Sequence, residues 1–207
     1  MINMKYIIFT IMSTLMLSVS RLLLAHISQS NLFLIAPIQW VKSYARIFKF
    51  CDELLATSTF LFSSYIIFFI LHSREENYFI ISIIIVSLIY CIIAWVGIVL
   101  IIGNIVYPVN GIIPLKKSEL STATLQIYSR LHLSDLALGI LTISLSCLSL
   151  NLYVKLGGYV VGIMQILFTY YSKRLNYNAY LFTVIAWNIW IIVFQIINQM
   201  KTYLTNI

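Results

Sequence analysis

Runs of nearly uncharged residues, most of them long enough to cross a bilayer, recur along this chain, and nothing else in it restricts the fold as strongly. A helix needs roughly 20 apolar residues to cross the ~30 Å hydrocarbon core of a bilayer. Within lipid, only helices and closed barrels satisfy their own backbone hydrogen bonds. Six runs are read here: Tyr6 to Ala25, Leu54 to Leu71, Tyr78 to Ile105, Leu136 to Leu152, Gly158 to Tyr171 and Ala179 to Ile197. They predict an all-α, polytopic membrane protein, one bundle of six transmembrane helices spread over residues 1–207.

Composition points the same way. Hydrophobic residues make up 61% of the chain and charged residues only 9%, with a mean hydropathy of +0.98. Soluble domains carry about one quarter charged residues, and no segment left over here is large enough for a water-soluble core. The net charge is +7, but the basic residues stand singly or in pairs between apolar runs. That arrangement suits anionic headgroups and membrane topology, not nucleic acid. Cys51, Cys91 and Cys147 form no C-x-x-C pair, so they are expected as free, apolar thiols.

The first run contains a small-x-small triplet, Ser18-Val19-Ser20, as a cleaved signal would. Apolar character resumes after Arg21 through Leu22 to Ala25, which predicts a retained helix. The connector from His26 to Glu53 includes Pro37 and a segment, residues 38–50, where Ile38, Val41, Ala45 and Phe48 recur at helical spacing opposite Lys42, Arg46 and Lys49. This predicts a short amphipathic helix at the interface, with Trp40 at headgroup depth. The third run would measure about 40 Å as a helix, so Gly103, Asn104 and Tyr107 are expected beyond the lipid.

Tyr107 to Asp135 is the longest polar passage of the second half and is read as a loop, with Ser134 and Asp135 as the cap and first-turn acid of the fourth span. Gly139, Thr142, Ser146 and Ser149 form a stripe expected to pack against another helix, and Gly158 with Gly162 makes a small-xxx-small pattern. Lys155, Gly157 and Gly158 are read as the turn into the fifth span. Asn188, Gln195 and Gln199 make a polar stripe on the sixth, expected to face the bundle interior.

The connectors after spans one, three and five carry Lys42, Arg46, Lys49, Lys116, Lys117, Arg130, Lys173 and Arg174, whereas the opposite face carries Lys5, Arg74, Lys155 and Lys201. By the positive-inside rule the first group is cytoplasmic, in a multi-pass protein of the cell membrane.

That same face collects the candidate binding residues His26, Ser28, Tyr107, Asn110, His132, Asp135 and Arg174. His26, His132 and Asp135 are residue types that zinc accepts, but their spacing fits no H-E-x-x-H motif. No G-x-S-x-G is present to activate a serine. Mid-span positions are read as offering only Ser, Thr, Asn and Gln, which disfavours ion-coupled transport. No metal or cofactor is expected. Three readings stay open: a protein that binds a lipid, small amphiphile or membrane partner at this face; a small lipid-modifying enzyme or hydrolase using His26, Ser28, His132 and Arg174; and an accessory subunit of a membrane complex or homo-oligomer.

His26-Ile27-Ser28 after the first run, Tyr107-Pro108-Val109-Asn110 after the third, Leu131-His132-Leu133 opening the next helix and Arg174-Leu175 before the last span together form a layout. In it the chain resembles the domain of unknown function 998 family, uncharacterised six-span membrane proteins, from about His26 to Ile197. Asn110 stands where that family has an acid, and Tyr107 where it has phenylalanine. The resemblance implies a six-span fold and no settled reaction.

Overall fold

Among the described residues seven helices follow one another: α1 Met4–Ile27, α2 Leu32–Ile35, α3 Pro37–His72, α4 Tyr78–Val106, α5 Lys117–Cys147, α6 Leu152–Tyr171 and α7 Tyr177–Leu204. They are seen in a computed structural model that describes residues 4–30, 32–72, 77–107, 117–149, 151–171 and 176–204. Every element among the described residues is an α-helix, so the all-α expectation holds. Ile7–Ile27 in α1, Pro37–Leu71 in α3, Tyr78–Val106 in α4 and Tyr177–Ile197 in α7 are each long and apolar enough to cross a membrane, and α6 holds a shorter apolar stretch, Leu152–Leu167. Four such helices in 207 residues are the construction of an integral membrane protein.

Several boundaries differ from those read in the sequence. The amphipathic segment 38–50 is not a separate helix; it continues without a break into the second apolar run as the 36-residue α3. The reason is continuity of its packed face, because Trp40, Phe48, Cys51, Leu55 and Phe62 are all fully buried along one line of the helix. Pro37 stands at the first helical position, where its missing N–H costs no hydrogen bond. Trp40 is fully buried between helices, and its Nε1 donates to the Ile27 carbonyl at the end of α1, 2.9 Å away.

The polar passage 107–135 is helical from Lys117 onward. Two of its hydroxyls bond within the helix: Thr122 and Thr124 donate to the carbonyls of Ser118 and Leu120. Ser134 and Asp135 therefore lie in mid-helix and are not a cap. Leu152, Lys155, Gly157 and Gly158 belong to α6, whose start is set by Asn151. Its side-chain oxygen accepts from the N–H groups of Tyr153 and Val154, the usual task of an N-cap. Asn176 does the same for α7 through Asn178 and Ala179.

The long helices pack in the order α1, α3, α4, α5, α6, α7, and α7 returns to α1. The α5–α6 seam is built from small residues, as the sequence stripe predicts. A methyl group added to Gly162 would stand 2.8 Å from the Gly139 carbonyl oxygen and 2.6 Å from Ile143 Cγ1, and one on Gly158 would overlap Ser146 Oγ. Close backbone approach of this kind is a main source of helix association in lipid. Asn188 and Gln195 face inward, as expected, while the side chain of Gln199 lies outside the described residues. Asn188 Nδ2 donates to Ser18 Oγ of α1, Gln195 accepts from Tyr65 of α3, and Trp187 Nε1 reaches Thr142 of α5. These bonds tie helices that a purely apolar interior would leave free to rotate.

Candidate functional site

In the interior, one cationic and one anionic side chain meet. Arg21 of α1 is 1% exposed and Asp135 of α5 is 3% exposed, yet α1 and α5 are not adjacent in the ring. Arg21 Nη2 donates to Asp135 Oδ1 at 2.5 Å and to Gln165 Oε1 of α6 at 3.0 Å. The Tyr180 hydroxyl of α7 lies 3.0 Å from Asp135 Oδ2 and 3.2 Å from Oδ1. Four helices thus converge on one ion pair, the only ion pair among the described residues. The guanidinium carbon also sits 5.7 Å and 5.8 Å from the ring centroids of Tyr180 and Trp187. Those π faces offer negative potential to the part of the cation turned away from the carboxylate. Nε and Nη1 have no hydrogen-bond partner among the described residues.

Below this node the interior is closed by aromatic rings. Phe62 packs 5.9 Å from Trp95 and 5.8 Å from Trp187, all three fully or almost fully buried. The arrangement is a plug of side chains, not a pore.

The sequence reading found only Ser, Thr, Asn and Gln at mid-span positions; the node adds a charged pair inside the bundle, with Arg21 toward the end of the first candidate span. Arg21 was visible within the first apolar run, and a charge there requires a partner in the bundle. The chain has only six acids, and only Glu53 and Asp135 directly abut an apolar run. What concealed the pair was the assignment of Asp135 to a helix cap.

Those sequence candidates that are among the described residues do not form one cluster. His26 is exposed at the end of α1, its ring 5.4 Å from Tyr177 at the start of α7. Ser28 is half-buried and donates to the Ala25 carbonyl. His132 is exposed on α5, whereas Asp135 on the same helix points inward. Tyr107 is 43% exposed after the end of α4, where Lys49 Nζ of α3 lies 5.4 Å from its ring centroid. Partial desolvation, then the Glu53 and Asp52 carboxylates, push its phenol above the ordinary tyrosine range. Asn110 and Arg174 lie outside the described residues. Among the described residues no three His, Cys, Asp or Glu side chains converge as metal ligands would.

On the outer side of the first half of α3, Lys42, Ser43, Arg46 and Lys49 are exposed, with Ile38 and Phe50 beside them. This basic face adjoins the ends of α1 and α4, through Trp40 with Ile27 and Lys49 with Tyr107. The chain matches no family model, no curated protein and no solved structure.

Proposed function

We propose that the chain is a six-span protein of the cell membrane that binds anionic lipid headgroups, or amphiphiles of the same chemistry, at the face formed by the connectors after spans one, three and five. The observation that carries this reading is the exposed row Lys42, Arg46 and Lys49 on the part of α3 that exceeds a bilayer. Counting about 20 residues back from Leu71 places the hydrocarbon boundary near residue 52, so Pro37 to Cys51 stand at or beyond the headgroups. Each lysine or arginine there contributes about 1 kcal/mol of attraction to an anionic leaflet.

Support for α5 and α6 as spans comes from their packing between α4 and α7 and from their glycine seam. The polar side chains in the lower half of α5 also bond within the bundle. Thr142, Ser144 and Ser146 donate to carbonyls four residues earlier, which leaves little unsatisfied polarity for lipid.

Two measurements test the proposal. With Cys51, Cys91 and Cys147 replaced by alanine, single thiols are placed at Ser73, Ser118 or Tyr153 and labelled in intact cells with an impermeant reagent. Six spans put Ser73 and Tyr153 on one side and Ser118 on the other, whereas four spans would group Tyr153 with Ser118. For the ligand, native mass spectrometry of the detergent-purified chain should show more adducts with phosphatidylglycerol than with phosphatidylcholine. The K42Q/R46Q/K49Q variant should lose that preference; an unchanged preference refutes the binding reading.

A further inference from the structure

Outside the buried node, Arg130 is a cation built into the helix packing with no counterion among the described residues. Arg130 of α5 is half-buried and lies flat against Gly97 of α4. A methyl group on Gly97 would be 1.8 Å from Arg130 Nη1 and 2.5 Å from Cζ, so glycine is what lets the guanidinium seat in the α4–α5 groove. No hydrogen bond or ion pair joins Arg130 to another described residue. Glu119 on the same helix is eleven residues away, about 16 Å along the axis.

Depth decides what could meet this charge. α4 begins at Tyr78, directly after the Asn77 cap and a charged turn, and its 29 residues exceed the roughly 20 that a bilayer needs. Counting Tyr78 as the first, Gly97 is the twentieth residue of α4. Arg130 is the eighteenth residue back from Cys147, the end of α5. Both counts, made on separate helices, bring the guanidinium to the headgroup boundary of the face with the odd connectors. Below it, Val96, Ile93 and Ile89 precede Gly97 on α4 and are exposed apolar residues. Above it, Gln126, Thr122 and Ser118 continue from Arg130 at four-residue steps, exposed, along an open depression on α5.

We infer that the α4–α5 groove is a phospholipid site, in which the phosphate is held by Arg130, the headgroup lies along Gln126 and Thr122, and an acyl chain runs down Val96, Ile93 and Ile89 of α4. A phosphodiester is the anion available at that depth, and a guanidinium binds it through two parallel N–H donors. The site rests on the six-span reading but not on the basic face of α3, from which it is separate in sequence and chemistry.

The test is native mass spectrometry of the full chain, delipidated in detergent and titrated with phosphatidylglycerol, phosphatidylcholine or inorganic phosphate. One phospholipid of either headgroup should be retained more tightly than the others. Arg130→Gln should weaken that single adduct about tenfold, the loss expected for a charge-assisted phosphate contact. Gly97→Ala should do the same while leaving the charge in place, and Arg130→Lys should recover part of the affinity. Unchanged helix content and unfolding midpoint in Arg130→Gln show that the fold is retained. The K42Q/R46Q/K49Q variant should keep the tight adduct even where it loses the general anionic preference, so the two proposals fail separately. Wild-type retention in Arg130→Gln overturns the site, as does displacement of the lipid by an equal concentration of inorganic phosphate.

Discussion

Removing Asp135 leaves Arg21 charged inside the bundle with one carbonyl-type acceptor, Gln165 Oε1, and two aromatic faces. Asp135→Ala deletes the Arg21 bond and the Tyr180 contacts together. Interhelical hydrogen bonds in membrane bundles are worth about 0.6 kcal/mol on average and about 1.7 at most, so the lost bonds alone account for about 1–3 kcal/mol. The greater part of the effect is the uncompensated buried cation, which brings the expected loss to about 3–5 kcal/mol. Arg21→Met should cost a comparable amount by stranding the carboxylate. The double variant Arg21→Met with Asp135→Leu removes both charges at once and should cost less than either single, about 2 kcal/mol or under. The assay is reversible unfolding in mixed micelles with increasing SDS, followed by tryptophan fluorescence, since Trp187 lies against Arg21. If Asp135→Ala falls within about 1 kcal/mol of wild type, the range of an exposed pair, the node is not what joins α1 to α5. A double variant whose loss equals the sum of the singles would refute the coupling.

At the α5–α6 seam, Gly162→Ala should destabilise by about 1–3 kcal/mol, because the added methyl meets the Gly139 backbone, which cannot swing aside. Gly103→Ala on α4, where nothing lies within 4 Å of the new methyl, should be neutral or stabilising by up to ~1 kcal/mol through helix propensity; equal effects at the two glycines would contradict the seam. Trp40→Phe keeps the ring contacts with Phe48 and Tyr44 but loses the bond to the Ile27 carbonyl. A loss of about 1 kcal/mol is expected, together with faster amide exchange in residues 28–30 if that bond anchors the α1–α3 connection.

How far the sequence could be read depended on the kind of information required. The apolar runs foretold an all-α membrane bundle because the bilayer imposes length and composition on each helix separately. The inward stripes on α5 and α7 were legible for the same reason: Gly139, Thr142 and Ser146, and Asn188 with Gln195, repeat at helical spacing within one element. Helix ends were less legible. Residues 117–135 are polar and yet helical, and polarity alone does not separate a solvated helix from a loop. In α3, Lys42, Arg46 and Lys49 looked like the polar side of a short surface helix, whereas Phe48, Cys51 and Leu55 carry one packed face straight through.

What the sequence determined by itself, then, is the class of molecule: the bilayer sets the length and apolar content of each helix on its own, and the stripes mark which faces turn inward. What only the tertiary structure decided is which charges meet. Arg21 and Asp135 are 114 residues apart, and Arg130 and Gly97 sit on different helices. No local pattern links either pair, because the requirement that a buried cation find an anion, or a gap wide enough to lie in, is met by whichever helix the packing brings alongside.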